Sequence, residues 1–361
     1  MGVMELPGQN EAKTRIELID PALKKAGWDV NNPEQVRTEI PVDGFDPNAW
    51  ENVKRILEAG GIYDGNLPKG VSDYALYRPN GDIIAVVEAK RTSVDPRLAQ
   101  TQAEFYVTQL EKLQGFRPFA FMTNGNDIYF LDTGKANKRL VSGFFSPSDL
   151  ENLLFIRQYK LPLSQTPINT AITDRLYQQE AIRRACETFE GKKKRKALLV
   201  MATGTGKTRT VMSLIDVFLR SNQARHILFV ADRDALVQQA VTDGFKKFLP
   251  SEPCERIFTH ALHTTSRLYA VTLQTLNLCF HEFTPAFFDL IVFDEVHRSI
   301  FNKWNEVLQY FDARLVGLTA TPADFIDRNT FLSFDCDDGI PTFLYTYKQA
   351  IDEKYLVDYT L

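Results

Sequence analysis

The stretch KALLVMATGTGKTRTVMSLIDVFL, Lys196 to Leu219, constrains the fold more than any other part of the chain. It runs from a continuous apolar strand through a glycine-containing loop into a helix. A strand apolar on both sides is buried on both faces, as in a parallel sheet covered by helices. HILFVA and LIVFDE repeat that pattern between helical stretches, so residues from Arg175 onward predict an α/β unit with a parallel sheet. Within the loop, Gly204 and Gly206 flank Thr205 and let backbone N–H groups turn inward, as a triphosphate requires. Lys207 is placed to reach the β/γ-phosphates, and the Thr208 hydroxyl to coordinate Mg²⁺. Met201 stands where the strict eight-residue pattern has its first glycine, but Gly204 still supplies the turn.

LIVFDEVHRS fits the same chemistry. An apolar strand ends at Asp294, suited to hold Mg²⁺, and Glu295, suited to polarise the attacking water. GLTATP follows a further short strand. Together, Gly204–Thr208, the DEVH run Asp294–His297 and the TAT run Thr319–Thr321 resemble motifs I, II and III of the superfamily 2 helicases and translocases. That resemblance makes Tyr177 and Gln178 candidates for reading adenine and adds His297 to the nucleotide site. It also makes Arg233, Gln274 and Thr275 candidate contacts to the DNA backbone, with ordinary surface polarity as the other reading of these three. The formal charge of −4 means that any DNA contact comes from local patches and not from the molecule as a whole. The basic run GKKKRK, Gly191 to Lys196, follows a helix end and reads as a solvated complement to the helix dipole.

The first half has a different character. SDYALYRPNGDIIAVVEAKRT, Ser72 to Thr92, reads as a β-hairpin about Asn80-Gly81. Centring the turn there puts Arg78 opposite Ile83, Leu76 opposite Ala85 and Asp73 opposite Glu88, with Lys90 on the same face as Glu88. Like charges facing one another destabilise a sheet, unless a divalent cation sits between them. Asp73 and Glu88 would then hold Mg²⁺, and Lys90 would orient or activate the attacking water. QAEFY places Gln102 and Tyr106 four residues apart on one face of a predicted helix spanning about Asp95 to Gln114. Residues 10–27 predict a helix that restarts at Asp20-Pro21, and SPSDLENLLF predicts a helix opened by a Ser148…Glu151 capping box. KLPLSQTPIN, with two prolines, predicts the domain boundary.

The arrangement D-(x)n-E-x-K resembles the PD-(D/E)xK nucleases. Combined with NEAKTRIELIDPALKKAGWD, the Gln102…Tyr106 pair and the motor motifs, it resembles the restriction subunit of type I restriction-modification enzymes over nearly the whole chain. Ser72 stands where the nuclease signature names proline. The resemblance implies a PD-(D/E)xK α+β nuclease domain at 1–160, a linker at 161–174 and the first RecA-like lobe at 175–361. The second lobe would be absent, the chain being an N-terminal part of a longer subunit. It further implies Glu11 as an acid outside the ligand set, ATP and Mg²⁺ as cofactors, and double-stranded DNA as substrate. Partner subunits for methylation and site specificity follow too, the partner binding S-adenosylmethionine where the holoenzyme uses it. Two readings stay open beside this one: a helicase-nuclease of DNA repair, and a DNA-binding clamp with an inactive nuclease fold. The four cysteines are widely spaced and suggest neither a zinc knuckle nor a disulfide framework. No apolar run approaches the ~20 residues of a membrane span, and a cytoplasmic location is expected.

Overall fold

The computed structural model describes residues 9–132, 138–259, 265–295, 301–321, 326, 328–336 and 338–358, excepting the side chains of 9–11, 301–305 and 328–329. The chain divides into two compact units, Met1–Glu151 and Asn152–Leu361.

In the first unit, β1 (Val36–Pro41), β2 (Val71–Tyr77), β3 (Ile83–Ala89), β4 (Phe119–Thr123), β5 (Ile128–Leu131) and β6 (Arg139–Val141) form one sheet in sequential order. Every neighbouring pair is antiparallel except β3 and β4, which run parallel. Parallel neighbours need a crossover, and the helix Gln100–Gln114 provides it, packing over both strands. Strand alternation then builds two cores. Ala120 and Met122 of β4 pack with Ala103, Val107 and Leu110 of the helix. Phe119 and Phe121 turn the other way, into an aromatic cluster with Phe130, Phe144 and Phe145.

The hairpin keeps the expected register where it matters and departs from it at the tip. Leu76 pairs with Ala85 and Tyr74 with Val87, but Tyr77 pairs with Ile83 across a bulge. Arg78 therefore faces Asp82, donating its N–H to Asp82 O, and not Ile83. The cause is a three-residue loop with Gly81 in the left-handed region (φ 89°). Ile84 is the extra residue of the bulge and offsets the one-residue shift that the loop introduces, so the register beyond it is restored.

Two other local expectations are corrected. The first helix does not restart at Asp20. It continues from Gln9–Thr14 through a π-turn, Arg15–Ile19, into Asp20–Lys25. Pro21 lacks the N–H that a regular turn would use, and the widened turn accommodates it. Asp20, no longer a cap, accepts a hydrogen bond from the Tyr74 hydroxyl at 2.8 Å. The helix Pro147–Tyr159 is opened by Ser146 and Asp149, whose side chains exchange bonds with each other's backbone N–H. Pro147 at the first helical position sets the cap one residue before it, and Glu151 instead pairs with Arg78 at 2.7 Å.

The second unit is built on seven parallel strands. They are β7 (Lys196–Met201), β8 (Ile227–Ala231), β9 (Cys254–Arg256), β10 (Leu268–Thr272), β11 (Leu290–Phe293), β12 (Arg314–Thr319) and β13 (Phe343–Tyr345). Their order is β13-β7-β12-β11-β8-β10-β9, with all pairings parallel. Both faces are covered, as the apolar strands require. Ala197 and Leu199 pack with Ile182, Val211 and Ile215; Leu198 and Val200 pack with Leu276, Val307 and Phe311 on the other face. β13 was not legible as a strand. It is three residues long and joins the edge beside β7.

The division between units falls within the helix Pro147–Tyr159, upstream of the expected 161–174 linker. That stretch is tied into the second unit: Leu161 N–H donates to Ser221 O, Leu163 N–H to Glu190, and the Thr173 hydroxyl to Ser213. Leu163 and Ile172 join its core, so two prolines mark an ordered strap and not a free joint. Asp289 fixes the same unit. Its carboxylate accepts the Arg225 and His226 N–H groups at 2.7 and 3.0 Å and the Asn152 amide at 2.9 Å. Asp289→Ala leaves three donors without this acceptor and is expected to lower the unfolding free energy by about 3 kcal/mol, measured by denaturant titration. Among the described residues, no helix is long and apolar enough to cross a membrane.

Candidate active sites

In the first unit, β2 and β3 bring the paired carboxylates together. Extending the Tyr74–Val87 pairing sets Asp73 opposite Glu88, and Asp73 Oδ2 accepts the Ala89 N–H at 2.7 Å. Glu88 is 1% exposed, and its Oε1 has no hydrogen-bond partner. Burial, and then the charge on Asp73, push the Glu88 carboxyl well above the usual range, against the pull of Lys90 and Arg15. A bare, buried carboxylate oxygen beside a second carboxylate suits a cation. Lys90 is half-buried at the end of β3, its N–H bonded to Thr123 O at 2.7 Å.

The helix Gln100–Gln114 closes over this point. The Tyr106 hydroxyl accepts from Gln102 Nε2 at 2.5 Å and donates to Val71 O at 2.9 Å. Burial, and next the Glu88 charge, raise the Tyr106 phenol. Asp73, Glu88, Lys90 and Tyr106 thus converge, and Gln102 joins them through Tyr106. The side chain of Glu11 lies outside the described residues. Among the described residues, no group of three or more His, Cys, Asp or Glu is arranged for a metal, so a cation here would rest on two carboxylates.

Three charged residues at this site were missed from sequence. Arg15, projected by the π-turn, pairs with Asp73 Oδ1 and, at 3.0 Å, with Glu39 Oε1. Lys54 pairs with the other Glu39 oxygen. Burial works against the Arg15 charge, but Asp73 and Glu39 outweigh it and raise its pKa. Glu39 itself sits in the left-handed region (φ 55°), and its carbonyl accepts Trp50 Nε1 at 2.7 Å. Arg15→Ala leaves Asp73 without its ion-pair partner and is expected to cost about 3 kcal/mol of stability, read by thermal melting.

In the second unit, the loop and the acidic pair lie at the carboxyl ends of β7 and β11, where parallel sheets bind ligands. Gly204 and Gly206 adopt φ values of 83° and 85°, and the helix Lys207–Arg220 starts directly after them. Thr205 is buried; its carbonyl accepts the Tyr177 hydroxyl at 2.7 Å and Gln178 Nε2 at 2.9 Å. Tyr177 and Gln178 therefore brace the loop, while Gln178 Oε1 is buried without a hydrogen-bond partner. Tyr177 also stacks on Tyr345 at 4.0 Å between centroids. Lys207 Nζ lies 3.4 Å from Glu295 Oε1, and Thr208 is half-buried in the first turn of that helix. Asp294 accepts the Glu295 N–H at 3.1 Å. Burial, and then Glu295, push its carboxyl up to about 6. Glu295 has φ 58°, a conformation that for non-glycine residues clusters at functional sites. His297 lies outside the described residues.

The candidate DNA contacts are less uniform. Arg233 and Gln274 are exposed beyond the ends of β8 and β10. Thr275 accepts the Thr272 hydroxyl at 2.9 Å and its N–H is capped by the same group, so its hydroxyl serves the helix start. In the basic run, Lys194 donates to Asp335 O and Arg195 binds Asp312, which ties that end of it into the fold.

A parallel sheet with a glycine loop at the end of one strand and an Asp-Glu pair at the end of another has the arrangement of a nucleotide-binding lobe. Residues 171–324 match the family described as "Type III restriction enzyme, res subunit". The chain is similar to the endonuclease subunits of type I restriction enzymes. It is 29% identical to the EcoAI endonuclease subunit of Escherichia coli, with 99% of this chain and 44% of that protein covered. It is 29% identical to the EcoKI endonuclease subunit of E. coli strain K12, with 94% and 34% covered. It thus spans less than half the length of either relative. A solved fragment assigned as an HsdR subunit of a type I restriction enzyme from Vibrio vulnificus YJ016 is 28% identical, with 97% of this chain and 61% of that one covered and a TM-score of 0.42.

Proposed function

We infer that this chain carries the nuclease and first motor lobe of a type I restriction subunit, coupling ATP-driven DNA translocation to Mg²⁺-dependent cleavage of double-stranded DNA. The observation that carries the nuclease part is the Asp73–Glu88 pair, with one Glu88 oxygen buried and bare. Asp73 and Glu88 would hold the ion, which when bound offsets the charge building on phosphorus. Lys90 orients the attacking water. Tyr106 and Gln102 position the DNA strand. Arg15 fixes Asp73 through their ion pair.

In the motor lobe, Lys207 and the backbone of residues 204–208 bind the phosphates, Thr208 and Asp294 would hold Mg²⁺, and Glu295 orients the water. The bare Gln178 Oε1 supports an adenine contact, since the base carries an amino donor. The proposed partners are the methyltransferase and specificity subunits, and co-purification with them is the test. Recovery of the chain free of both would remove the type I assignment. Gln102→Ala and Tyr106→Phe are expected to slow cleavage by up to about a hundredfold, the scale of a misplaced reacting group. Each should keep its bound divalent ion; loss of the ion in either would make that residue part of the metal site.

A further inference from the structure

The geometry points to a second DNA contact beside the carboxylate pair: a seat for a backbone phosphate flanking the one that is cut. It rests on the nuclease reading above and extends it to residues that the reading does not use. A polar cavity of about 260 Å³ opens between the first helix and the segment after β3, lined by Lys13, Thr14 and Glu17 on one side and Arg91, Thr92 and Ser93 on the other. Both walls continue directly from the candidate site. Arg91 follows Lys90, and Thr14 precedes the Arg15 that holds Asp73.

The charges are unevenly satisfied. Lys13 has Glu17 at 3.8 Å, Arg15 is spent on Asp73 and Glu39, and Arg97 is held by Asp95. Among the described residues, the Arg91 guanidinium has no hydrogen-bond or ion-pair partner, and it is exposed. An uncompensated guanidinium in a cavity with the exposed hydroxyls of Thr92 and Ser93 is a donor set for a phosphodiester: Arg, Lys, Ser and Thr make most backbone contacts to DNA. Placed one residue beyond Lys90, it would grip the strand next to the scissile group and set its register.

The salt dependence of DNA binding tests this, because each phosphate neutralised adds about 0.9 to the slope of log K against log salt. The full chain is titrated with a short duplex in EDTA, where nothing is cut, over a series of salt concentrations. Arg91→Ala is expected to weaken binding and reduce the slope by about one, while Arg91→Lys retains it. Arg97→Ala makes the same change in net charge outside the cavity and should leave the slope as in wild type. An unchanged slope in Arg91→Ala overturns the inference, as does an equal drop in Arg97→Ala or a wild-type chain that binds no duplex. Divalent-ion binding separates this from the underlying reading. If Arg91→Ala fails while Asp73→Asn loses its ion, only the phosphate seat falls. If Asp73→Asn keeps its ion, both fall.

Discussion

If the proposed function holds, Glu88→Gln and Asp73→Asn are each expected to abolish DNA cleavage by the assembled enzyme, by about a thousandfold or more, and to leave ATP binding unchanged. A thousandfold is about 4 kcal/mol of transition-state stabilisation, within what a positioned metal supplies to phosphoryl chemistry. The two residues lie in the first compact unit and the glycine loop in the second, so the losses should separate cleanly. Plasmid nicking and nucleotide titration read the two activities; loss of nucleotide binding in either variant would contradict the separation. Glu88→Gln has a second signature. In metal-free wild type the folded-state pKa of Glu88 is raised, by burial and then by Asp73. A raised carboxyl favours the folded state below its unfolded value of about 4.3, and that contribution is lost as pH rises through the folded value. Wild type should therefore lose stability over that rise, and Glu88→Gln should not. Parallel pH profiles of the two proteins would refute this.

Lys207→Ala is expected to weaken ATP binding by somewhat over a hundredfold, about 3 kcal/mol, the scale for removing one partner of a buried charge pair. Its ammonium lies beside Glu295. The substitution removes the cation that reaches the phosphates and leaves Glu295 without that partner. Glu295→Gln should keep nucleotide affinity and lose hydrolysis, because Glu295 is assigned to the water and not to the phosphates. Equal affinity in wild type and Lys207→Ala would show that the loop binds no triphosphate.

The second site was legible in the sequence because its parts are local. Gly204, Gly206, Lys207 and Thr208 are contiguous, and apolar strands announce a parallel sheet wherever they occur. Asp73 and Glu88 were legible for a related reason: one hairpin turn sets their register, and the bulge at Tyr77 cancels the misjudged loop. Arg15, Glu39 and Lys54 were not legible. Arg15 reaches Asp73 only through a π-turn in a helix that reads as α-helical, and Glu39 meets it only after β1 pairs with β2. The cap falls at Ser146 and not at Ser148 because Pro147 takes the first helical position. β13 depends on a partner, β7, far away in sequence, and three residues carry no periodicity of their own.

Asp73 and Glu88 are proposed to form a divalent-metal site in a unit distinct from the glycine loop. Calorimetric titration of Mn²⁺ into the nucleotide-free chain tests it most directly. Wild type and Lys207→Ala should each show one saturable site, and Asp73→Asn and Glu88→Gln should show none. A wild-type chain without a saturable site, or an Asp73→Asn chain that binds Mn²⁺ as wild type does, would contradict it.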